Sequence, residues 1–142
     1  MKSSMQAIGE FLNCKSFAVA GASNDRSKYG NIVYRALIDS GRDTVPIHPN
    51  ASAIEGGKAY PTLGDSPSLP EAVSIVTRPE ATRLIVAQAA NLGVRCVWMQ
   101  PGAEDAEASR IAREAGMIVI DDGSCILVAL AGERRRTEQR KA

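Results

Sequence analysis

Phe17-Ala-Val-Ala-Gly21-Ala22-Ser23 is a short apolar run that ends on a glycine and passes into small and polar residues before a helical pattern opens near Tyr29. In an α/β protein, a strand–turn–helix unit of this kind commonly holds a phosphate group. The first backbone N–H groups of the helix have no intrahelical partner and carry the positive end of the helix dipole. The stretch therefore predicts a nucleotide-type binding site at the turn after the first strand.

The bulk composition predicts one α/β domain. The chain has 142 residues, enough to bury a core without disulfide or metal staples. Hydrophobic residues make up 44% and charged residues 23%, which is typical of a soluble globular protein. Because only 4% of the residues are aromatic, the core must consist of Val, Ile, Leu and Ala. That mix suits a parallel sheet under alanine-rich helices, and we expect residues 1–142 to form a single domain.

The net charge of +1 hides an asymmetry along the chain. Residues 133–142 hold four Arg, one Lys and two Glu, a balance of +3, so the remainder carries about −2. A body of that charge argues against nucleic-acid binding. We interpret 133–142 as a basic, solvated helix end and 1–13 as an amphipathic N-terminal helix. An RNA or membrane contact of the tail is the alternative.

The cysteine pattern and the hydropathy indicate a cytoplasmic protein. Cys14, Cys96 and Cys125 are odd in number and have no C-x-x-C spacing, which favours neither a disulfide framework nor a zinc site. Residues 1–12 have no long apolar core, so we expect no signal peptide. No run approaches the roughly 18 apolar residues of a membrane span. The predicted protein is soluble, binds no metal and makes no membrane contact.

Apolar runs alternate with helical patterns along the rest of the chain. Three predicted helices are each followed by a glycine and then by a strand, with Gly41, Gly93 and Gly116 at the helix ends. Connections of this length are too long for hairpins and indicate a parallel sheet. The predicted strands cover 16–20, 44–47, 58–60, 72–76, 96–99 and 117–120, and the predicted helices open at 4, near 29, at 79 and at 104.

Right-handed crossovers place helices on both faces of such a sheet, giving a Rossmann-like, doubly wound fold of three layers. We expect the strand order 3-2-1-4-5-6, with the topological switch point between strands 1 and 4. The ligand should then meet the loop after strand 1 (Gly21–Tyr29) and the loop after strand 4 (Thr77–Pro79).

The nicotinamide fingerprint is missing from the predicted site. After Gly21 the next glycine is Gly30, so the spacing G-x-G-x-x-G does not occur. An acidic residue for a ribose hydroxyl should follow strand 2, yet that end reads Ile47-His48-Pro49, and Asp43 precedes the strand. The sequence also has no G-x-x-x-x-G-K-[ST] loop for a nucleoside triphosphate. The residues predict a Rossmann-like phosphate binder without the NAD signature.

An ordered set of segments resembles a known family. The set consists of Gly21-Ala22-Ser23, Pro46-Ile-His-Pro49, Gly56 with Ala59-Tyr-Pro61, Thr77-Arg78-Pro79-Glu80, Val97-Trp-Met-Gln100 with Gly102, and Cys125. Together these segments resemble the small stand-alone CoA-binding proteins, which are similar to the N-terminal CoA-binding domain of the succinyl-CoA synthetase α subunit. The resemblance runs from about Ser16 to Cys125, nearly the whole chain, and implies coenzyme A or an acyl-CoA as the ligand.

The resemblance also implies where the phosphates lie. The backbone amides of Gly21, Ala22 and Ser23 would cradle the phosphates of CoA. Arg26 or Lys28, on the extended turn, would supply the positive charge that a ligand with three phosphate groups needs. In the alternative interpretation, the glycine only allows tight packing and the two cations are solvated.

The remaining contacts follow from the same resemblance. The segment Ile47-His48-Pro49 would border the adenosine, and Thr77-Arg78-Pro79 would line the crevice at the switch point. Gln100 and Gly102 would form the far wall along the pantetheine arm, although Gln100 could equally bind a neighbouring loop. The family pattern usually has Asn where this chain has His48, and this difference predicts pH-sensitive binding.

The sequence shows no catalytic constellation. The single histidine has no Ser or Cys partner in a recognisable motif, and no carboxylate pair has a recognisable spacing. The leading hypothesis is therefore a non-catalytic CoA or acyl-CoA binder that acts as a sensor, carrier or regulatory subunit. The alternatives are a subunit of a multi-chain acyl-CoA synthetase or transferase, an NAD or adenine-nucleotide sensor, and a fold turned to interaction with a protein partner.

Overall fold

The computed structural model describes residues 2–141, which form seven strands and five α-helices in that range. The strands are β1 (Phe17–Ala20), β2 (Thr44–Ile47), β3 (Ala53–Ile54), β4 (Gly57–Lys58), β5 (Ala72–Ile75), β6 (Cys96–Met99) and β7 (Ile118–Ile120). The helices are α1 (Ser4–Leu12), α2 (Tyr29–Asp39), α3 (Pro79–Leu92), α4 (Ala106–Glu114) and α5 (Ile126–Lys141), and a 3-10 turn covers Leu63–Asp65.

Five strands form one parallel sheet in the order β2-β1-β5-β6-β7. One face packs against α1, α2 and α5 through a core that includes Phe11, Leu37 and Leu130. The other face packs against α3 and α4 through Val86 and Ala108. This arrangement confirms the predicted Rossmann-like, doubly wound sheet of three layers, with β1 and β5 side by side at the switch point.

The predicted third strand at 58–60 is wrong in detail, and the order 3-2-1-4-5-6 is corrected accordingly. Residues 53–58 form an antiparallel hairpin in which Ala53 pairs with Lys58. Only Tyr60 reaches the main sheet, through an isolated parallel bridge to Ile47. Pro61, which follows, has no N–H to continue the ladder. The hairpin therefore uses the residues that an edge strand would need.

The helix ends follow local chemistry that can be seen in the sequence. Ser3 caps α1 in a reciprocal capping box with Gln6. Pro79 occupies the first turn of α3, where its missing N–H costs nothing, and Gly93 ends that helix with a φ of 86°. These signals explain why the hydrophobic periodicity gives helices of defined length.

The predicted helix end at 133–142 belongs to α5, whose start at Ile126 was not predicted. The first two turns of α5 bury Ile126 and Leu130, whereas residues 134–141 are exposed. The ion pair between Arg42 and Glu133, 2.7 Å from Nη2 to Oε1, fastens the helix where it leaves the body. The described part of the predicted tail is thus helical, and residue 142 lies outside the described residues.

Two further properties of the described residues bear on the sequence analysis. The three cysteines are free, and the Sγ atoms of Cys14 and Cys96 lie 3.7 Å apart in the core. Burial raises the pKa of the Cys96 thiol to about 12. Within residues 2–141, none of the helices is long and apolar enough to cross a membrane.

Candidate functional site

The carboxyl ends of four parallel strands are joined by backbone hydrogen bonds. Gly21 N donates to Ile47 O at 3.2 Å, and Val76 N donates to Ala20 O at 2.8 Å. Gln100 N donates in turn to Ile75 O at 3.0 Å. The loops after β2, β1, β5 and β6 therefore begin side by side along one edge of the sheet. We call the cleft between the loop after β1 and the loop after β5 the crevice.

Close backbone packing explains why glycines occur in the loop after β1 and in the first turn of α2. Gly21 has a φ of +94°, and a Cβ atom there would lie 2.3 Å from Val76 O. A Cβ on Gly30 would lie 2.0 Å from Gly21 O. The loop after β1, the first turn of α2 and the loop after β5 therefore pack closely, mainly through their main chains. Packing accounts for Gly21 whether or not a ligand is bound.

The turn after Gly21 is shaped by its own side chains. Ser23 Oγ accepts the N–H of Asp25 at 3.0 Å, and the Asp25 carboxylate accepts both the N–H and the hydroxyl of Ser27. These bonds from Ser27 lower the pKa of Asp25. The backbone N–H groups of Ser23, Asn24 and Arg26 form no hydrogen bond within residues 2–141. They leave donors free at the point where α2 begins.

The two predicted cations of the turn differ in their surroundings. Arg26 is 69% exposed and forms a two-pronged ion pair with Glu55, with Nη2 to Oε1 at 2.7 Å and Nε to Oε2 at 3.2 Å. Lys28 is the exposed N-cap residue of α2 and makes no ion pair with the residues that the structure describes. Of the two, Lys28 carries the charge without an ion-pair partner among the described residues.

The loop after β5 supplies the opposite wall. The Thr77 methyl carbon would lie 3.0 Å from a Cβ on Gly21, so this loop touches the first turn directly. Thr77 Oγ1 is 2.8 Å from Oγ1 of the buried Thr82. Arg78 is the exposed N-cap residue of α3, Pro79 follows it, and Arg78 has no ion-pair partner in the described range.

The segment after β2 borders the same edge of the sheet. Ile47 is buried, whereas His48 is half-buried and Pro49 is exposed. The His48 ring accepts the N–H groups of Asn50 and Ala51 at Nδ1, at 3.0 and 3.1 Å. A neutral ring with Nδ1 occupied in this way carries its proton on Nε2, which leaves a donor on the other side of the ring.

The two residues of the predicted far wall of the crevice differ in exposure. Gln100 is fully buried; its Nε2 donates to Ser74 Oγ at 3.1 Å, and its Oε1 accepts from Ile126 N at 2.9 Å. Gly102 is exposed, has a φ of +95° and has open space where a Cβ would stand. The structure thus gives the Gln100 amide partners within the protein, as in the alternative interpretation, and leaves Gly102 accessible.

Sequence reasoning missed the polar residues that support the turn. Asn24 bonds to Ala53 O and to Glu55 N, and the buried Asn31 bonds to Ser23 O and to Glu55. None of these residues belongs to a motif, and their partners are more than twenty positions away for the hairpin contacts. Only the asparagine content of the turn hints at a turn-forming role.

A second unpredicted contact lies deeper on the α2 side. Tyr29 Oη is 2.6 Å from Cys125 Sγ and 3.4 Å from Gln100 Oε1. Burial and the neighbouring Cys125 raise the pKa of Tyr29 above its usual range. This cluster connects the first residue of α2 to the residue before α5.

Other concave or charged features lie away from the crevice. A cavity of about 1030 Å³ opens between α2 and α5, lined partly by Arg35, Arg42 and Arg134, and it contains none of the predicted site residues. Among residues 2–141, no group of three or more His, Cys, Asp or Glu side chains is placed to hold a metal ion.

Comparisons with known proteins agree with this geometry. The chain is 28% identical over 117 residues to the uncharacterized protein YneT of Bacillus subtilis, which is 82% of this chain and 86% of that protein. It resembles a hypothetical protein from Pyrococcus horikoshii OT3 with 32% identity, a TM-score of 0.79 and coverage of 84% of each chain.

Part of a larger enzyme has a similar fold. The dinucleotide-forming acetyl-coenzyme A synthetase 1 of Ca. Korarchaeum cryptofilum matches with 26% identity and a TM-score of 0.67, over 78% of this chain and 26% of that chain. The model of the CoA-binding domain matches residues 15–131, from just before β1 into α5. Since that range contains the sheet and all of the loops at its carboxyl edge, the chain belongs to the CoA-binding domain family.

Proposed function

We propose that the protein binds coenzyme A or an acyl-CoA in the crevice. The observation that carries this proposal is the direct contact between the Gly21 turn and the Thr77 loop at the switch point of the sheet. Ligands of open α/β sheets bind where the strand order reverses, and this chain has unpaired backbone donors there. Membership of the CoA-binding domain family supports the choice of CoA.

The phosphates would bind to the turn after β1. The free N–H groups of Ser23, Asn24 and Arg26 can donate to the diphosphate, next to the first turn of α2. Lys28 and Arg78 are exposed N-cap residues of α2 and α3 without ion-pair partners among residues 2–141, and their charges would bind the phosphates from the two loops. Two such charges suit a ligand with a diphosphate and a further phosphate ester.

The adenosine and the pantetheine arm would extend to either side. His48 offers its Nε2 side to the adenosine, next to Pro49 and the buried Ile47. The arm would run past Gly102, which is the open part of the far wall, with Gln100 behind it. These assignments extend the resemblance residue by residue.

We assign the protein a non-catalytic role as a sensor, carrier or regulatory subunit in the cytoplasm. The Nδ1 atom of His48 already accepts two backbone N–H groups, so the open Nε2 side of the neutral ring carries a proton and does not offer the lone pair of a general base. Tyr29, Cys125 and Gln100 form a cluster without a histidine or a carboxylate. This set of groups favours binding over chemistry.

The test is isothermal titration of ligand-stripped protein with CoA, dephospho-CoA and NAD under identical conditions. We expect micromolar binding of CoA, about −8 kcal/mol, and none of NAD. Arg78→Gln should weaken CoA binding several-fold, whereas Arg110→Gln, in the middle of α4, serves as the control of equal charge change. Binding of NAD alone, or of neither ligand, would contradict the proposal.

A second candidate function rests on the match to the synthetase. The chain is similar to about a quarter of that enzyme. In this candidate function, the protein is a subunit of a multi-chain acyl-CoA synthetase or transferase and works with a separate partner chain. This candidate predicts co-purification of a defined partner and acyl-CoA formation only after the two chains are mixed.

A further inference from the structure

One carboxylate ties the turn after β1 to the β3–β4 hairpin. Glu55 accepts two hydrogen bonds from Arg26, at 2.7 and 3.2 Å, and one from Asn31 Nδ2 at 2.9 Å. The same Asn31 amide also donates to Ser23 O at 2.7 Å. An anionic group of the protein thus lies among donors at the beginning of α2, where the ligand phosphates are expected.

Backbone contacts hold this carboxylate in place. Glu55 N donates to Asn24 Oδ1 at 2.9 Å, and Asn24 Nδ2 donates to Ala53 O at 2.8 Å. The Arg26 and Asn31 side chains hold the pKa of Glu55 at about 2, so the carboxylate is charged at neutral pH. The Glu55 side chain is 18% exposed, whereas Arg26 is 69% exposed, so a ligand in solution can reach the guanidinium.

Glu55 has a backbone conformation that is unfavourable for a glutamate. Its side-chain contacts must therefore offset this local strain. Glu55 has a φ of 49° and Gly56 a φ of 81°, so both residues of the hairpin turn are left-handed. Such turns favour Asn, Asp or Gly at the first position, and Glu is the one non-glycine residue with positive φ within residues 2–141. Local turn chemistry alone does not explain a glutamate here.

We propose that the Glu55 carboxylate is an intramolecular stand-in for a ligand phosphate, and that the ligand takes over Arg26 from it. Carboxylate and phosphate use the same guanidinium donors, but phosphate offers more charge and more acceptor oxygens. The inference rests on the proposed function, because CoA supplies the phosphate. Glu55 then lowers the affinity for every ligand and selects for those whose charge at this position can displace a carboxylate.

The closing experiment titrates CoA into four proteins: the wild type, Glu55→Gln, Arg26→Gln and Glu107→Gln. Glu107→Gln is the matched control, because it removes an exposed Glu–Arg pair in α4 on the opposite layer. Glu55→Gln should bind CoA about fivefold more tightly, equivalent to about 1 kcal/mol, because Arg26 no longer has to be released. Arg26→Gln should bind more weakly than the wild type, and the control should match the wild type.

A second measurement uses the wild-type protein and so does not depend on the folding of a variant. Carbon NMR of the Glu55 carboxyl group should show its pKa rising when CoA saturates the protein, because Arg26 leaves and phosphate arrives. Suppose that the wild type binds CoA but Glu55→Gln binds it equally or less tightly, or that the Glu55 signal does not change. Either result overturns the exchange of Arg26 between Glu55 and the ligand and leaves the proposed function standing. If the wild type does not bind CoA, the proposed function fails and the exchange fails with it.

Discussion

Gln100 Oε1 accepts the backbone N–H of Ile126 at 2.9 Å, so a side chain at the end of β6 holds the first residue of α5. The Nε2 atom of the same side chain donates to Ser74 Oγ in β5 at 3.1 Å. One fully buried amide therefore connects two central strands to the C-terminal helix. The arrangement explains how a helix with few buried residues stays on the sheet.

Replacement of Gln100 should destabilise the protein. Gln100→Leu would leave the Ile126 N–H and the Ser74 hydroxyl without their partner, and we expect a loss of about 1–3 kcal/mol in the free energy of unfolding. Urea denaturation measures the loss, with Gln139→Leu on the exposed part of α5 as the control. CoA titration of the folded variant decides the predicted contact with pantetheine: weaker binding supports that contact, and unchanged affinity contradicts it.

Substitutions at two glycines distinguish the cost of a left-handed backbone from the cost of a steric overlap. Gly21 and Gly41 both have positive φ, at +94° and +86°, but only Gly21 has a backbone oxygen in the space of a Cβ. Gly41→Ala should cost about 1 kcal/mol for the left-handed conformation. Gly21→Ala should cost about 1–3 kcal/mol more, because Val76 must move. Equal losses for the two variants in chemical denaturation would contradict the tight contact at the switch point.

Low pH should reduce the stabilisation that Asp105 provides at the amino end of α4. The Arg83 ion pair and the capping bond from Ala108 N hold the pKa of Asp105 at about 2, below the ordinary value of 3.8. Because the folded state has the lower pKa, this stabilisation is full above pH 3.8 and is lost as the pH falls toward about 2. Between about pH 2 and pH 3.8, the urea midpoint of unfolding should depend less on pH in Asp105→Asn than in the wild type. An unchanged slope would show that other carboxylates dominate.

His48 can be compared with the residue that the family pattern usually has. The Oδ1 of asparagine can accept the same N–H groups as Nδ1 does now, so His48→Asn should keep the turn and bind CoA. His48→Ala removes the acceptor and should bind more weakly. Isothermal titration of the three proteins with CoA under identical conditions measures the difference, and equal affinities of the wild type and His48→Ala would contradict a contact at this position.

The fold class could be predicted because its signals are local. Apolar runs of four residues, helical periodicity and the glycines at 41, 93 and 116 each depend on neighbouring residues. The predicted third strand at 58–60 is wrong in detail, because residues 53–58 form a hairpin with Gly56 in its turn. The start of α5 at Ile126 was not predicted, because the helix has few apolar residues and is polar on all sides after Gly132.

The candidate site could be predicted only at the level of its loops. Strand order places the Gly21 turn beside Thr77, and this follows from topology. The partners of individual side chains do not follow, because Arg26 meets Glu55 across 29 positions and through a hairpin that was not predicted. For the same reason, the sequence alone could not distinguish Lys28, which has no ion-pair partner among residues 2–141, from Arg26.

The shortness of β7 has a consequence for how copies of the protein meet in solution. With three residues, Ile118 to Ile120, it closes one side of the sheet and offers few main-chain groups to another strand. The ion pair between Arg113 and Asp121, at 2.8 Å, places charges at the end of this strand. Short, charge-flanked borders disfavour edge-to-edge pairing. The protein thus keeps this border of the sheet from acting as a template for aggregation.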